Sequence, residues 1–267
     1  QIDDPNFEIS EDDAGAALES ASKNGYADIV EILIKNFKDK ISDIDAGVAL
    51  EKASSKGHAN IVEILITNLK EKISDHQAGR ALEKASSNGH TNIVDILITH
   101  FKEKISYDVA GKALIRASES KKTNFVNILI TNFKDKIYYI YAGDALESAS
   151  EEGHTEIVEI LITNLKEKIS DRQAGRALLG ASYNGHANIV EILITHLKEK
   201  ISDHQAEDAL INASENGHTD IVKLLITNFK EKISEIAGWA LELVSEKGHA
   251  EIVEILKSFI SELEQSH

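Results

Sequence analysis

A chain that repeats itself at a fixed step presents every unit with the same faces to bury, and that requirement excludes most folds. Here the pair Ile-Ser opens a unit at Ile9, Ile41, Ile73, Ile105, Ile169, Ile201 and Ile233, with Ile137-Tyr138 in the remaining slot, so the step is 32 residues from 9 to 233. A period of about 20 to 50 residues marks a solenoid, in which a unit too small for a core of its own stacks on its neighbours. The predicted organisation is a lead-in over 1–8, a single solenoid over 9–263 and a tail over 264–267. Its eight repeats are 9–40, 41–72, 73–104, 105–136, 137–168, 169–200, 201–232 and 233–263. No Pro- or Gly-rich stretch marks a linker among them.

Each repeat reads as two helices. In the second, Ser42 with Asp43 and Asp45 is a cap-like start that puts carboxylates at the positive end of a helix. Ala46, Ala49, Leu50 and Ala53 then recur at i, i+3, i+4 and i+7, a narrow stripe of small side chains, and Gly57 supplies a stop. After "GHAN" the run Ile61, Val62, Ile64, Leu65, Ile66, Leu69 and Ile73 occupies more than one face, so the second helix is the buried element. Its polar positions, Glu63, Thr67, Lys70, Glu71 and Lys72, are expected on an outer wall. Aromatic residues make up only 5% of the chain against 42% hydrophobic, which leaves Ile, Leu, Val and Ala to build the core. The fold class is therefore all-α, a solenoid of stacked helical hairpins. Gly47 sits inside the first helix and recurs as Gly15, Gly79, Gly111, Gly143, Gly175 and Gly238, with Glu207 in the seventh slot. Since interior glycine costs about 1 kcal/mol relative to alanine, close backbone approach is expected there.

The stretch "ALEKASSNGHTNIVDILI", residues 81–98, resembles the two-helix part of an ankyrin repeat, including the Gly-His turn and the "IVxxLI" second helix. The resemblance implies a scaffold that binds other proteins through its first helices and β-turn fingers. Two departures qualify it: the step is 32 rather than the roughly 33 usual for that family, and no unit carries the Thr-Pro-Leu-His opening, replaced by sequences such as "AGRAL" at 78–82. Ile73 and Ser74 lead almost directly into the next helix, so an ankyrin-like stack without projecting β-hairpin fingers is expected, with helix surfaces providing the binding site. A second resemblance, to the two-helix repeats of TAL effector-like DNA-binding proteins, rests on the Ile73-Ser74-x-x-Gln77 opening and the variable turn "SSNG" at 86–89. Charge opposes it. Glu151 and Glu152 fill one such turn and the chain carries a net charge of −16, whereas nucleic-acid binding rests on Lys and Arg against phosphate.

Other chemistries find little to work with. Cysteine is absent, which removes disulfides and thiolate chemistry, and no Gly-rich phosphate loop or isolated Ser, His and Asp set stands apart from the repeat. The chain is not expected to be an enzyme or to use a cofactor. His58, His90, His154, His186, His218 and His249 recur in the turn, but neighbouring packed helices lie about 8 to 10 Å apart, too far for successive rings to share an ion held at about 2 Å. They are expected to be hydrogen-bonded turn residues, and no metal site is predicted. No apolar run approaches the roughly 20 residues of a spanning helix. The opening "QIDDPNFEISEDD" is not signal-like, so the chain reads as soluble and cytoplasmic. With Gln1 first and no Met, a preceding segment or delivery to another compartment stays open.

What varies between repeats is the outer stripe of the first helix. Position 48 and its equivalents read Ala16, Val48, Arg80, Lys112, Asp144, Arg176, Asp208 and Trp239. Four residues later stand Ser20, Lys52, Lys84, Arg116, Ser148, Gly180, Asn212 and Leu243, and a spacing of four puts both sets on one face. Residues 107–138 hold 6 basic against 3 acidic side chains, whereas 1–42 hold 4 against 10 and 235–267 hold 2 against 7. The predicted partner-binding residues are Arg80, Lys84, Lys112, Arg116, Tyr141, Asp144, Arg172 and Arg176, and the expected partner is a protein, through an acidic segment. Tyr138, Tyr139 and Tyr141 flank the basic part, with Tyr138 in place of the serine cap. Nucleic acid and membrane are not expected partners, and none of these features sets an oligomeric state.

Overall fold

The computed structural model describes residues 9–265, and every regular element among them is helical. Eight hairpins follow one another: α1 (Glu11–Asn24) with α2 (Ala27–Phe37), α3 (Asp43–Lys56) with α4 (Ala59–Leu69), α5 (Asp75–Asn88) with α6 (Thr91–Phe101), and α7 (Tyr107–Glu119) with α8 (Thr123–Phe133). Then come α9 (Tyr139–Glu151) with α10 (Thr155–Leu165), α11 (Asp171–Asn184) with α12 (Ala187–Leu197), α13 (Asp203–Glu215) with α14 (Thr219–Phe229), and α15 (Ala237–Lys247) with α16 (Ala250–Gln265). No strand occurs among the described residues, and Ile73 and Ser74 alone separate the end of the second repeat from α5.

The second repeat shows why the sequence makes this unit. Ser42 keeps an extended backbone and its Oγ accepts the Asp45 N–H at 3.2 Å, while the Asp45 carboxylate accepts the Ser42 N–H at 3.0 Å. This reciprocal box satisfies orphan donors at the start of α3. At the other end Gly57 takes φ 84°, the left-handed conformation that closes a helix and that side chains resist. Ala46, Ala49, Leu50 and Ala53 are fully buried, and their small size lets α1 and α5 pack against α3 from either side. Ile61, Val62, Leu65, Ile66 and Leu69 of α4 are buried too, each apolar side chain contributing about 1.5–3 kcal/mol of transfer free energy.

The helix ends at Leu69, not beyond it. Lys70–Lys72 form a 3-10 turn, and the buried Ile73 lies outside the helix as a plug between hairpins. The expected outer wall is therefore corrected at Lys72: its Nζ donates to the Ile41 carbonyl, 31 residues earlier. Lys40, Lys104, Lys200 and Lys232 repeat that bond to Ile9, Ile73, Ile169 and Ile201. These lysines staple successive hairpins.

The glycine inside the first helix also has a different cause from the one expected. A Cβ on Gly47 would lie 2.0 Å from Gln77 Cδ, and one on Gly175 would lie 2.0 Å from Gln205 Cδ. The visitor is thus a side chain from the cap of the next repeat, not its backbone. Gln77 Nε2 passes over the glycine to donate to the Asp43 carbonyl at 2.9 Å. Glu207 breaks the glycine pattern where the next repeat is one residue short: Ala206, Ala209 and Ala213 correspond to the buried Ala237, Ala240 and Val244 at a step of 31. Ile236, at the start of α15, stands in the slot of the glutamine, so no cap glutamine has to cross Glu207.

The chain divides into two compact units. The first contains the described residues up to Ala117 together with Asn127–Ile137, and the second contains Ser118–Val126 and the described residues from Tyr138 onward.

Candidate functional site

The outer face of the first helices carries exposed residues that differ from repeat to repeat. In the first unit Arg80 on α5 and Lys112 and Arg116 on α7 are exposed, and Lys84 is half-buried. Their charges are not bare. Arg80 meets Glu51 at 3.0 Å and Arg116 meets Glu83, so each cation leans on a carboxylate of the preceding hairpin. Lys112 pairs with Asp108 on its own helix at 2.8 Å, and Lys52 lies 3.6 Å from Glu19. Such half-exposed pairs contribute about 0–1 kcal/mol each.

The second unit carries the other four predicted residues: Tyr141 and Asp144 on α9, both half-buried, and the exposed Arg172 and Arg176 on α11. Arg176 meets Glu147 at 2.7 Å. Burial pushes the Glu147 carboxyl above its ordinary range, the Arg176 charge pulls it down, and Asp144 and Glu151 add to the rise. The glutamates that receive these arginines were missed in the sequence, although a signal was present: Glu51 and Glu147 each stand 29 residues before their arginine.

The turn histidines are placed by the same stacking. Nε2 of His58, His90, His186, His218 and His249 lies 2.9–3.2 Å from the carbonyls of Lys23, Ser55, Glu151, Tyr183 and Glu215, each in the preceding hairpin. One ring nitrogen is thus engaged in holding the stack, and the rings do not converge on a common point. His154 departs from the pattern, with Nδ1 2.9 Å from its own Glu152 carbonyl. Burial, and then the Lys121 charge, lower its pKa below the ordinary 6.5.

Open clefts of about 580 and 460 Å³ lie at the C-terminal ends of the second helices, one in each unit. Lys38, Lys70, Lys72 and His100 line the first, and Lys166, Lys198, Lys200 and His196 line the second. Neither sets a nucleophile beside a base. No helix among the described residues is long and apolar enough to cross a membrane.

Hairpins capped by Ser boxes, closed by left-handed glycines and stapled carbonyl to lysine define a helical repeat scaffold. A family model described as ankyrin repeats (3 copies) matches residues 18–110, 50–140, 82–173, 114–208 and 178–264. The chain belongs to the ankyrin repeat family, and ankyrin repeats are in general protein–protein interaction scaffolds. Among solved structures it is similar to the human ASB11 ankyrin repeat domain, at 16% identity over 79% of this chain and 82% of that chain, with a TM-score of 0.32. No curated protein matches the sequence.

Proposed function

We propose that the chain is a non-catalytic scaffold that holds a partner protein on the outer faces of its first helices. In the first unit the contact residues are Arg80, Lys84, Lys112 and Arg116, and the ligand is an acidic segment. In the second they are Tyr141, Asp144, Arg172 and Arg176. One observation carries this reading. The unrepeated cations Arg80, Lys112 and Arg116 of α5 and α7 stand exposed, each already paired with a carboxylate. An incoming acidic segment exchanges those weak partners for a desolvated contact, which is where charge pairs gain strength.

The test is a double substitution, Lys112→Glu with Arg116→Glu, in an affinity measurement against acidic peptides. Affinity is expected to fall by more than about 1 kcal/mol with helicity unchanged. Lys35→Glu with Lys102→Glu is the control, since Lys35 on α2 and Lys102 just past the end of α6 are exposed in the same unit and neither staples a carbonyl. Equal losses from both pairs, erased together by salt, would mean general electrostatic attraction and would end the proposal. Duplex and single-stranded oligonucleotides form the comparison arm, where steep salt-dependent binding would favour a nucleic-acid reader instead.

A further inference from the structure

The first-helix face changes character within the second unit. At its start stands the Glu147–Arg176 pair, but the Glu147 slot holds Leu179 on α11, Ile211 on α13 and Glu242 on α15, and the Arg176 slot holds Asp208 and then Trp239, with Leu243 one turn further on. Leu179 and Ile211 follow Glu147 by one and two repeats. Trp239 takes the slot of Arg176 in the shortened eighth repeat, a register anchored by the buried Ala237, Ala240 and Val244 and by the Lys247–Glu215 pair at 3.4 Å. The stacking that sets Glu147 against Arg176 therefore sets Ile211 beside Trp239.

Leu179, Ile211 and Leu243 are half-buried, and two aromatic rings stand out beside them. Trp239, the chain's only tryptophan, is 50% exposed, and Tyr183, one turn beyond Leu179 on α11, is 56% exposed. Gly180 adds a floor. Its slot carries Lys84, Arg116 or Asn212 in other repeats, and an added Cβ would meet Glu151 Cβ at 3.3 Å, a tight contact relieved by a shift of a few tenths of an ångström. An interior glycine costs about 1 kcal/mol, and this half-buried one removes a side chain from beside Leu179.

The charge around the row selects the occupant. Residues 201–265 contain 13 Asp and Glu against 5 Lys, and Asp208, Glu207 and Glu242 share the first-helix elements with Ile211 and Trp239. A second copy of a chain with net charge −16 would meet repulsion there. We infer that α11, α13 and α15 form a docking surface for a basic amphipathic segment of a partner protein, whose bulky apolar side chains pack on Trp239, Ile211 and Leu179 while its Lys and Arg face the acidic rim. The inference rests on the first-helix faces being the interaction surface, and it assigns the second unit a ligand of opposite charge to that of the first.

Trp239 supplies its own signal. The full chain is titrated with a short peptide bearing Leu and Phe on one helical face and Lys on the other, with a Glu-for-Lys counterpart, and with a scrambled peptide of identical composition. A saturable blue shift of the tryptophan emission is expected with the first peptide alone. Ile211→Lys, and separately Asp208→Lys with Glu242→Lys, should each weaken binding about tenfold while the circular dichroism stays unchanged. Glu11→Lys with Asp12→Lys makes the same charge change on α1 and should alter affinity less than about twofold. Binding of the Glu or scrambled peptide at equal strength, equal loss from the α1 control, or concentration-dependent self-association abolished by Ile211→Lys would each overturn the inference. Lys112→Glu with Arg116→Glu leaves this titration unaffected, so failure here and failure of the basic face in the first unit are told apart.

Discussion

Lys121 occupies the turn position that is glycine in the other repeats and is the one non-glycine among the described residues with positive φ, at 56°. Replacing it with glycine should stabilise the protein, for two separable reasons. A side chain in the left-handed region costs about 1–2 kcal/mol, of which about 0.5–1 is returned by the extra freedom glycine brings to the unfolded chain. The second reason is steric. In the glycine turns the next histidine lies against the α-carbon: a Cβ would come within 2.6 Å of His186 Cε1 at Gly153 and of His218 Cε1 at Gly185. Lys121 has that Cβ, and the histidine following it, His154, is the one whose ring bonds to its own turn.

Lys121→Gly should let the His154 ring settle on the turn and donate Nε2–H to the Glu119 carbonyl, the equivalent of Glu151 for His186, for about 0.5–1.5 kcal/mol. The expected total gain in denaturant unfolding is about 1.5 kcal/mol, falling to about 0.5 in a His154→Ala background. Because neighbouring repeats can unfold in stages, the measurement should follow probes in the second unit, not one global midpoint. The ring carries an independent readout. Its contact through Nδ1 makes the Nδ1–H tautomer the one present, and imidazole carbon and nitrogen chemical shifts should report Nε2–H after the substitution. An identical gain with and without His154, or an unchanged tautomer, would refute the reasoning.

The remaining predictions concern the same stacking contacts. Gly47→Ala should cost about 1–2 kcal/mol by expelling Gln77, and Gln77→Ala should recover part of that cost, as a thermodynamic cycle in denaturant would show. Glu207→Ala, where the eighth repeat lacks the glutamine, should stay within about 0.5 kcal/mol in the same assay. Ser54 Oγ is buried with no hydrogen-bond partner, so Ser54→Ala should be neutral or stabilising by about 1 kcal/mol in calorimetry. Because the folded-state pKa of His154 is lowered, the unfolded chain takes up the proton first. Stability should therefore decline as pH falls through about 6.5 toward the lower folded value and be flat above it, a slope that His154→Gln removes.

The hairpins were readable because their signals are local. Ser42 with Asp45, the Ala46–Ala49–Leu50–Ala53 stripe and Gly57 define a helix without reference to anything outside the repeat. Contacts made across one period were harder to see. Gln77 stands 30 residues after Gly47, and neither residue on its own explains the other. The helical wheel assigns Lys72 to an outer wall because it cannot show the Ile41 carbonyl 31 residues back. The cations Arg80 and Arg116 stand out as exceptions to the repeat, whereas Glu51 and Glu83 do not, because a glutamate recurs in that slot as Glu19 and Glu147.

These cross-period contacts explain where the array is allowed to vary. A residue in one repeat is fixed by its partner in the next, so a change on one side requires a change on the other. Glu207 replaces glycine where the eighth repeat has lost the cap glutamine, and Lys121 replaces glycine where His154 has turned away. Without the partner's change, either substitution would force side chains closer than van der Waals contact permits, at a cost of about 1–3 kcal/mol. The outer slots of the first helices are coupled only through half-exposed ion pairs worth about 0–1 kcal/mol, so they can diverge one repeat at a time. That asymmetry leaves the first-helix face free to acquire Arg80 and Arg116 in one unit and Ile211 and Trp239 in the other on an unchanged frame.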